Sequence, residues 1–136
     1  MQFAICLVNI YIFICIKIIH TIRESLIASK VKINNGKIMD GSKTVGMIKN
    51  GCIYDRNIAS SSYILAMTKN NVIYNRNIAS SSYCIGMVKN GTIYNKNIAS
   101  SSYKVGTTRD AERVISGRCS DAELGAIYIL MKEGKL

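Results

Sequence analysis

The sequence predicts an all-β protein built from tandem antiparallel β-hairpins. The first reason is a twenty-residue unit that occurs three times between residues 46 and 105, as GMIKNGCIYDRNIASSSYIL, AMTKNNVIYNRNIASSSYCI and GMVKNGTIYNKNIASSSYKV. A fixed period of this length is typical of repeat proteins, in which each unit is one supersecondary element. The second reason is the Asn-Gly or Asn-Asn pair inside each unit, because such residues favour a two-residue hairpin turn.

Each turn determines how the strands on either side of it pair. In the first copy we expect strands over residues 44–49 and 52–55, joined by a type I′ turn at Asn50-Gly51. Side chains alternate between the two faces of a strand, so one face should carry aliphatic pairs and the other Met-Tyr pairs. The pairs predicted for the first copy are Lys49 with Cys52, Ile48 with Ile53, Met47 with Tyr54 and Gly46 with Asp55.

The pattern continues more weakly on both sides of the three copies. Residues 31–40 contain Asn35-Gly36 and predict a degenerate first hairpin, whereas residues 103–107 predict one further strand with no turn after it. A polar connection such as residues 56–62 follows each full hairpin, and its Asn and Ser residues favour turns. Isolated hairpins are marginally stable in water, so these hairpins must pack on one another.

Residues 3–19 are almost continuously apolar, interrupted by Asn9 and Lys17. The run is shorter than the roughly twenty residues of a spanning helix and is similar in length to the core of a signal peptide. We therefore expect a hydrophobic helix that acts as an export signal or a membrane anchor, in an extracytoplasmic or membrane-anchored protein. A buried or mis-started segment in a cytoplasmic protein is the alternative. The domains are then residues 1–30, the hairpin domain 31–108 and a C-terminal segment 109–136.

The C-terminal segment leaves two interpretations open. Ser120 and Glu123 have the spacing of a capping box, which favours a helix from Leu124 to Lys132. Residues 126–131 are also apolar enough for a buried strand, which would pair with residues 103–107 and complete the last hairpin. The capping signal favours the helix, whereas the need to cover an unpaired edge strand favours the second strand.

The hairpins resemble those of the β-flower repeat proteins, small bacterial chains in which hairpins of the form I-G-x-I-x-x-D-G-T-I radiate around an axis. The matching stretches are residues 45–54, residues 85–94 and the closing Val105-Gly106. The resemblance covers about residues 31–131 and implies a radial arrangement, an N-terminal export segment and a hydrophobic tail like residues 126–131. The long ASSSY connection, Asn71 in place of Gly and the stretch 110–123 depart from the family pattern. The family has no assigned activity, so the resemblance implies a fold and export but no function.

Charge and aromatic residues define one candidate binding face. The chain carries a net charge of +10, and residues 31–109 contain eleven Lys and Arg against two Asp. Aromatic rings beside cations bind nucleic acids and acidic glycans, which makes anionic polymers candidate partners. The alternative is that the Tyr residues pack between hairpins while the lysines are solvated. The candidate residues are Lys49, Tyr54, Lys69, Tyr74, Lys89 and Tyr94.

The sequence shows no pattern that indicates catalysis, a metal site or a cofactor. The single histidine, His20, has no carboxylate or second ligand near it, and the five cysteines lack metal-ligand spacing. We expect the cysteines to be small buried hydrophobic residues without a disulfide framework. The predicted function is a non-enzymatic structural or interaction module. Its partner is unknown, with a second protein, self-association, an anionic polymer and a membrane tether through residues 3–19 as alternatives.

Overall fold

The computed structural model describes residues 11–17 and 30–136, so the predictions for residues 1–10 and 18–29, including His20, lie outside the described residues. Residues 11–17 form a helical stretch, α1, as predicted for the apolar N-terminal run. The other elements, in chain order, are β1 (Val31–Asn34), β2 (Lys37–Asp40), β3 (Lys43–Lys49), β4 (Cys52–Tyr54), β5 (Ile64–Lys69), β6 (Val72–Tyr74), β7 (Cys84–Lys89), β8 (Thr92–Tyr94), β9 (Lys104–Thr107), α2 (Thr108–Glu112), β10 (Ile115–Ser116) and α3 (Asp121–Lys132).

All ten strands belong to one sheet, in the order β10-β1-β2-β3-β4-β5-β6-β7-β8-β9. Neighbouring strands are antiparallel from β1 to β9, and the two-residue β10 pairs with β1 in parallel. The described residues therefore form a mostly antiparallel sheet with few helices, which agrees with the predicted all-β class. Strands that follow one another in the chain are neighbours in space, as expected when short turns connect them.

The predicted turns and register are confirmed in the three copies. Asn50 and Gly51 both have positive φ angles, 51° and 76°, as a type I′ turn requires, and the second copy achieves the same with Asn70 and Asn71. In the first copy β3 and β4 pair Lys49 with Cys52, Ile48 with Ile53 and Met47 with Tyr54. The predicted Gly46–Asp55 pair does not form, because β4 ends at Tyr54 and the Asp55 N–H donates to the Tyr63 carbonyl of the following loop.

Successive antiparallel strands give the sheet two distinct ends. The hairpin turns at residues 35–36, 50–51, 70–71 and 90–91 lie at one end, which we call the turn end. The connections from β2 to β3, β4 to β5, β6 to β7 and β8 to β9 lie at the other, the loop end. Because β1 runs toward its turn, the chain preceding Val31 also joins the sheet at the loop end.

Each turn is held by a backbone hydrogen bond from a later residue, which lies in the next strand or, for the last turn, in α2. The second turn residue accepts from an N–H that comes later in the chain, so consecutive hairpins are linked at the turn end. These bonds run from Ile48 N to Gly36 O at 2.6 Å, Thr68 N to Gly51 O at 2.8 Å, Val88 N to Asn71 O at 2.9 Å and Thr108 N to Gly91 O at 2.9 Å.

A β-bulge interrupts each junction between hairpins. Between β4 and β5 the register moves from Ile53–Ala66 to Tyr54–Ile64, which leaves Leu65 as an extra residue. Leu65 and its counterparts in the other junctions pack against the main core although strand alternation would place them outside. The extra residues at the four junctions are Val45, Leu65, Ile85 and Val105.

The main core lies between one face of the sheet, which we call the inner face, and α3. Ile53, Ile73 and Ile93 occupy the same position in the three copies and are fully buried, as are Ile127 and Leu130 of α3. Burying one such side chain contributes about 2–3 kcal/mol. Packing against a shared helix therefore supplies the stability that a single hairpin lacks.

The C-terminal alternative is resolved in favour of the helix. Residues 126–131 lie within α3, so the interpretation in which they form a strand that completes the last hairpin is wrong. The capping box is present, with Ser120 and Glu123 each accepting a backbone hydrogen bond from the other. Strand β9 is left at a sheet edge, where Lys132 of α3 donates to the Val105 carbonyl at 2.9 Å.

The connection from β9 to β10 requires the sheet to curve. These are its two edge strands, and nine strand spacings would separate them by about 43 Å in a flat sheet. The eight residue steps from Thr107 to Ile115 can span at most about 29 Å, and five of the intervening residues are coiled in α2. The two edges must therefore approach each other, with α3 on the concave side that holds the main core.

Candidate functional site

The six residues predicted to form a binding face do not have similar environments. Lys49, Lys69 and Lys89 are all exposed and lie beside the turns. Tyr54 is 9% exposed and packs with Cys52 and Met67 in a small cluster on the outer face of the sheet. Tyr74 and Tyr94 are half-buried. The lysines are thus available to a partner, whereas the rings are partly or wholly covered by neighbouring side chains.

Burial also affects the chemistry of this outer cluster. Desolvation raises the pKa of the Tyr54 hydroxyl, and the nearby Cys52 adds to that shift. Desolvation likewise raises the pKa of the Cys52 thiol, although a hydrogen bond with Tyr54 opposes the effect. Both groups are therefore neutral at physiological pH. The cluster contributes packing rather than a charged or nucleophilic site.

Three long loops form the most regular surface feature outside the strands. They are residues 55–63, 75–83 and 95–103, and each closes with a backbone hydrogen bond between its first and last residues. The N–H of Asp55 donates to Tyr63 O at 2.9 Å, and the corresponding bonds of the other two loops are 2.8 Å long. Each loop ends in a 3-10 turn, such as Ser61–Tyr63. The predicted connection, residues 56–62, would let Tyr63 open the next strand; this is corrected, because Tyr63 belongs to the loop and β5 begins at Ile64.

A cation stacks on the closing tyrosine of every long loop. Arg56 lies 3.8 Å from the centre of the Tyr63 ring, and the corresponding pairs of the other loops are Arg76 with Tyr83 at 4.9 Å and Lys96 with Tyr103 at 4.7 Å. Such contacts contribute about 0.5–1 kcal/mol at exposed sites. They hold each cation at the loop surface.

Only the first loop has an acid next to its cation. Arg56 forms a 2.9 Å ion pair with Asp55, whose hydrogen bond raises the pKa of the guanidinium. In the other two loops Asn75 and Asn95 occupy the position of Asp55. The long loops therefore carry a positive surplus, with three cations against one carboxylate.

Each long loop also exposes an isoleucine. Ile58, Ile78 and Ile98 are 54%, 53% and 52% exposed, and each carbonyl accepts a hydrogen bond from the serine two residues later. The near-identical exposure shows that the side chain is presented in the same way three times. Sequence reasoning missed these residues because the connection was treated as polar. Their recurrence at one column of the repeat was the available signal.

The second long loop contacts the outer face of the hairpin formed by β3 and β4, in the first copy of the repeat. The Cys52 thiol donates to Asn77 Oδ1 across 3.7 Å. Tyr63 of the first loop packs against the outer cluster of Cys52, Tyr54 and Met67. These contacts restrict the first two loops, so the isoleucines of those loops are displayed from an ordered backbone.

Reactive side chains are not gathered into a site in the described part of the chain. No group of three or more His, Cys, Asp or Glu residues that could hold a metal ion occurs within residues 11–17 and 30–136. Burial, reinforced by the nearby Glu123 and Asp121, raises the pKa of the Cys119 thiol to about 11. Cys119 is therefore protonated at neutral pH and is a poor nucleophile.

The cysteines only partly follow the prediction. Four of them lie in the described ranges, and all four are free thiols, as expected. Cys52 is buried, but Cys15, Cys84 and Cys119 are half-buried, so the expectation of complete burial is wrong for these three. Cys119 packs against the main core although it is only partly buried.

The apolar N-terminal run is exposed where the structure describes it. Tyr11, Ile12, Phe13, Ile14 and Ile16 of α1 are each 49–72% exposed. Within the described ranges, none of the helices combines the length and apolar character needed to cross a bilayer.

Comparison with known proteins identifies no relative of this chain. No family model matches it, and neither the curated proteins nor the solved structures contain a match.

Proposed function

We propose that this chain is a non-enzymatic interaction module whose binding surface is formed by the three long loops. The observation that carries the proposal is the equal exposure of Ile58, Ile78 and Ile98, at 54%, 53% and 52%. Half-exposed aliphatic side chains contribute little to a core, and their regular presentation on closed loops fits contact with a partner. The proposal concerns binding and assigns no reaction to the chain.

The proposed architecture is a set of tandem hairpin repeats of about twenty residues in a β-flower-like radial arrangement. Two features support it. The two edge strands are only seven residues apart in the chain, which requires a curved sheet. Strands β4 to β7 all contact α3, so hairpins from different copies pack against one helix, as an arrangement around a central element would require. In this arrangement each hairpin extends outward and carries its own long loop.

Urea unfolding tests whether the loop isoleucines are needed for the fold. The triple variant Ile58→Ser, Ile78→Ser and Ile98→Ser should unfold in urea at nearly the wild-type midpoint, because these side chains are outside the core. Ile53→Ser is the matched control and should lower the midpoint strongly, because Ile53 is fully buried. A comparably large loss of stability in the triple variant would mean that the loop isoleucines serve the fold, and would contradict the proposal.

We also propose that residues 3–19 hold the module at a membrane. Support comes from the apolar sequence of this run and from the exposure of its side chains in α1. The full chain should sediment with membranes, and the variant Ile12→Lys with Ile16→Lys should be released by an alkaline wash because charge in the apolar run opposes insertion. Equal retention of both proteins, or a wild-type chain found in the soluble fraction, would contradict the tether.

A second candidate function is the binding of anionic polymers through the Lys/Tyr face. Its support is the exposure of Lys49, Lys69 and Lys89 in equivalent positions, although the buried Tyr54 offers no ring for stacking. Changing the three lysines to Gln should release the protein from heparin at lower salt. Changing Arg56, Arg76 and Lys96 to Gln removes the same charge from the loops and is the control. Equal effects of the two triple variants would leave only a general charge effect and reject this candidate.

A further inference from the structure

The long loops combine two features that narrow the chemistry of their partner. Each presents an exposed isoleucine, and each holds a cation on a tyrosine ring a few residues away. Because the same pair of features recurs three times, the surface fits a partner that also repeats. A partner that matches this surface offers negative charge beside an apolar region at several equivalent points.

Charge and polarity disfavour the other repeating partners. A second copy of this chain would bring the cations of one loop set against those of the other, which opposes self-association. Nucleic acids and acidic glycans provide repeated negative charge, but they present no aliphatic surface to cover the three isoleucines. An anionic lipid surface provides both features, since its headgroups attract Lys and Arg and its interfacial layer accepts apolar and aromatic side chains.

Topology points to the same partner. The long loops leave and rejoin the sheet at the loop end, where the chain preceding Val31 also enters it. That preceding chain contains the apolar residues 3–19. If this run lies in a membrane, the twelve residue steps from residue 19 to Val31 keep the start of β1, at the loop end, within about 43 Å of it. The loops then meet the surface at a high effective concentration, so weak individual contacts are sufficient.

We propose that the three long loops dock on the anionic headgroups of a membrane, with Ile58, Ile78 and Ile98 entering the interfacial layer and Arg56, Arg76 and Lys96 contacting the headgroups. This inference names the partner of the loop surface proposed above and rests on that function. It differs from the N-terminal tether, because it concerns the orientation of the sheet and its dependence on lipid charge.

The natural absence of tryptophan allows a direct test in the full chain. Ile78→Trp places a single fluorophore on the second long loop, and Asn34→Trp places one at the exposed turn end, without a change of charge, as the matched control. Each protein is mixed with phosphatidylcholine vesicles, with or without phosphatidylserine, whose acyl chains carry bromine as a quencher. Both substituted positions are exposed, so neither variant should disturb folding.

The expected result is a blue shift and quenching of the Ile78→Trp emission with phosphatidylserine vesicles, and little change for Asn34→Trp. Adding Arg56→Gln, Arg76→Gln and Lys96→Gln to Ile78→Trp should raise the lipid concentration at half-saturation on the order of 100-fold, since each cation near an anionic surface contributes about a fivefold factor. Higher salt should weaken the response in the same direction.

Three results would overturn the inference. The first is an unshifted Ile78→Trp spectrum while the protein sediments with the vesicles, which would leave the tether intact and place the loops in water. The second is an equal response to vesicles with and without phosphatidylserine. The third is a larger blue shift with an acidic peptide or heparin than with vesicles, which would retain the loops as a binding surface but assign them another partner.

Discussion

In the part of the chain that the structure describes, the inner face of the sheet is covered by one long helix, whereas the outer face is covered by its own side chains and by the long loops. Ile73 and Ile93 on the inner face are fully buried, but Tyr74 and Tyr94, their neighbours on the outer face, are half-buried. The same hairpins thus carry one tightly constrained surface and one that is open to change. This difference explains how near-identical units can serve stability on one side and binding on the other.

The largest expected difference in stability between the two faces comes from substituting adjacent residues of β6. Ile73→Ala should lower the free energy of unfolding by about 3 kcal/mol, because it leaves a cavity beneath α3. Val72→Ala, on the half-buried outer side, should cost only about 1 kcal/mol. Urea denaturation of the two purified variants measures both losses. Equal losses would show that the outer face is packed as tightly as the inner one.

Close packing between α3 and the sheet is tested at Gly125. A Cβ added there would overlap Val88 Cγ2, so Gly125→Ala should destabilise the protein by about 1–3 kcal/mol although alanine favours helix formation. Val88→Ala removes the overlapping methyl groups. The double variant should therefore be less destabilised than the two single losses added together. Additive losses in thermal denaturation would mean that the two residues do not interact.

Helix α2 contacts both edge strands of the sheet, β9 and β10, and its N-terminus carries a capping box. The backbone and side chain of Thr107 lower the pKa of Asp110 below its ordinary value of 3.8. The stabilisation is therefore present above pH 3.8 and is lost as the pH falls through the lowered native pKa. Asp110→Asn should reduce stability by less than about 1 kcal/mol at neutral pH, because the carboxylate is partly solvated.

The pH dependence provides the control for this prediction. Urea unfolding of wild type and Asp110→Asn should converge as the pH falls through the lowered native pKa of Asp110, because below it both side chains are uncharged. Glu112→Gln changes an exposed acid of the same helix and should show a smaller effect at neutral pH. A difference between wild type and Asp110→Asn that is independent of pH would exclude the charged cap as its cause.

The smallest expected change in stability comes from exchanging Asn and Gly at the second position of the hairpin turns in the second and third copies of the repeat. Asn71 has a φ of 63°, a region in which glycine is less strained, so Asn71→Gly should raise stability by about 0.5–1 kcal/mol. The reciprocal variant Gly91→Asn should lower it by a similar amount, since φ is 74° there and a Cβ meets only Thr108 Oγ1 at 3.6 Å. Changes of the same sign in both variants would contradict this explanation.

The hairpins were predictable from sequence because their information is local. Asn-Gly turns determine the pairing of the residues that flank them, and the observed register from Lys49–Cys52 to Met47–Tyr54 follows from that rule. The capping box at Ser120 likewise identified the start of α3. The apolar residues 126–131 that follow it fit a helix and a strand equally well, so their composition did not decide between the two. In each case the deciding residues lie within a few positions of one another.

The remaining features depend on contacts between distant parts of the chain. The placement of α3 against the inner face, the four bulges and the pairing of Val31 with Ile115 have no local signature. The binding surface was assigned to Lys49 and Tyr54 because they alternate with the strand period. The exposure of Ile58 was not predicted, since a single aliphatic residue in a polar loop is ordinarily unremarkable.

The pairing of β1 with β10 bears on how the protein is made. Val31 is among the first residues of the sheet, but its neighbours Val114 and Ile115 leave the ribosome only after all the hairpins have been synthesised. Hairpins can form one by one as they emerge, yet the edge of the first strand stays open throughout translation and can pair with another nascent chain. A chain released before residue 115 would keep that open edge permanently, so premature termination should yield aggregates rather than a shorter functional protein.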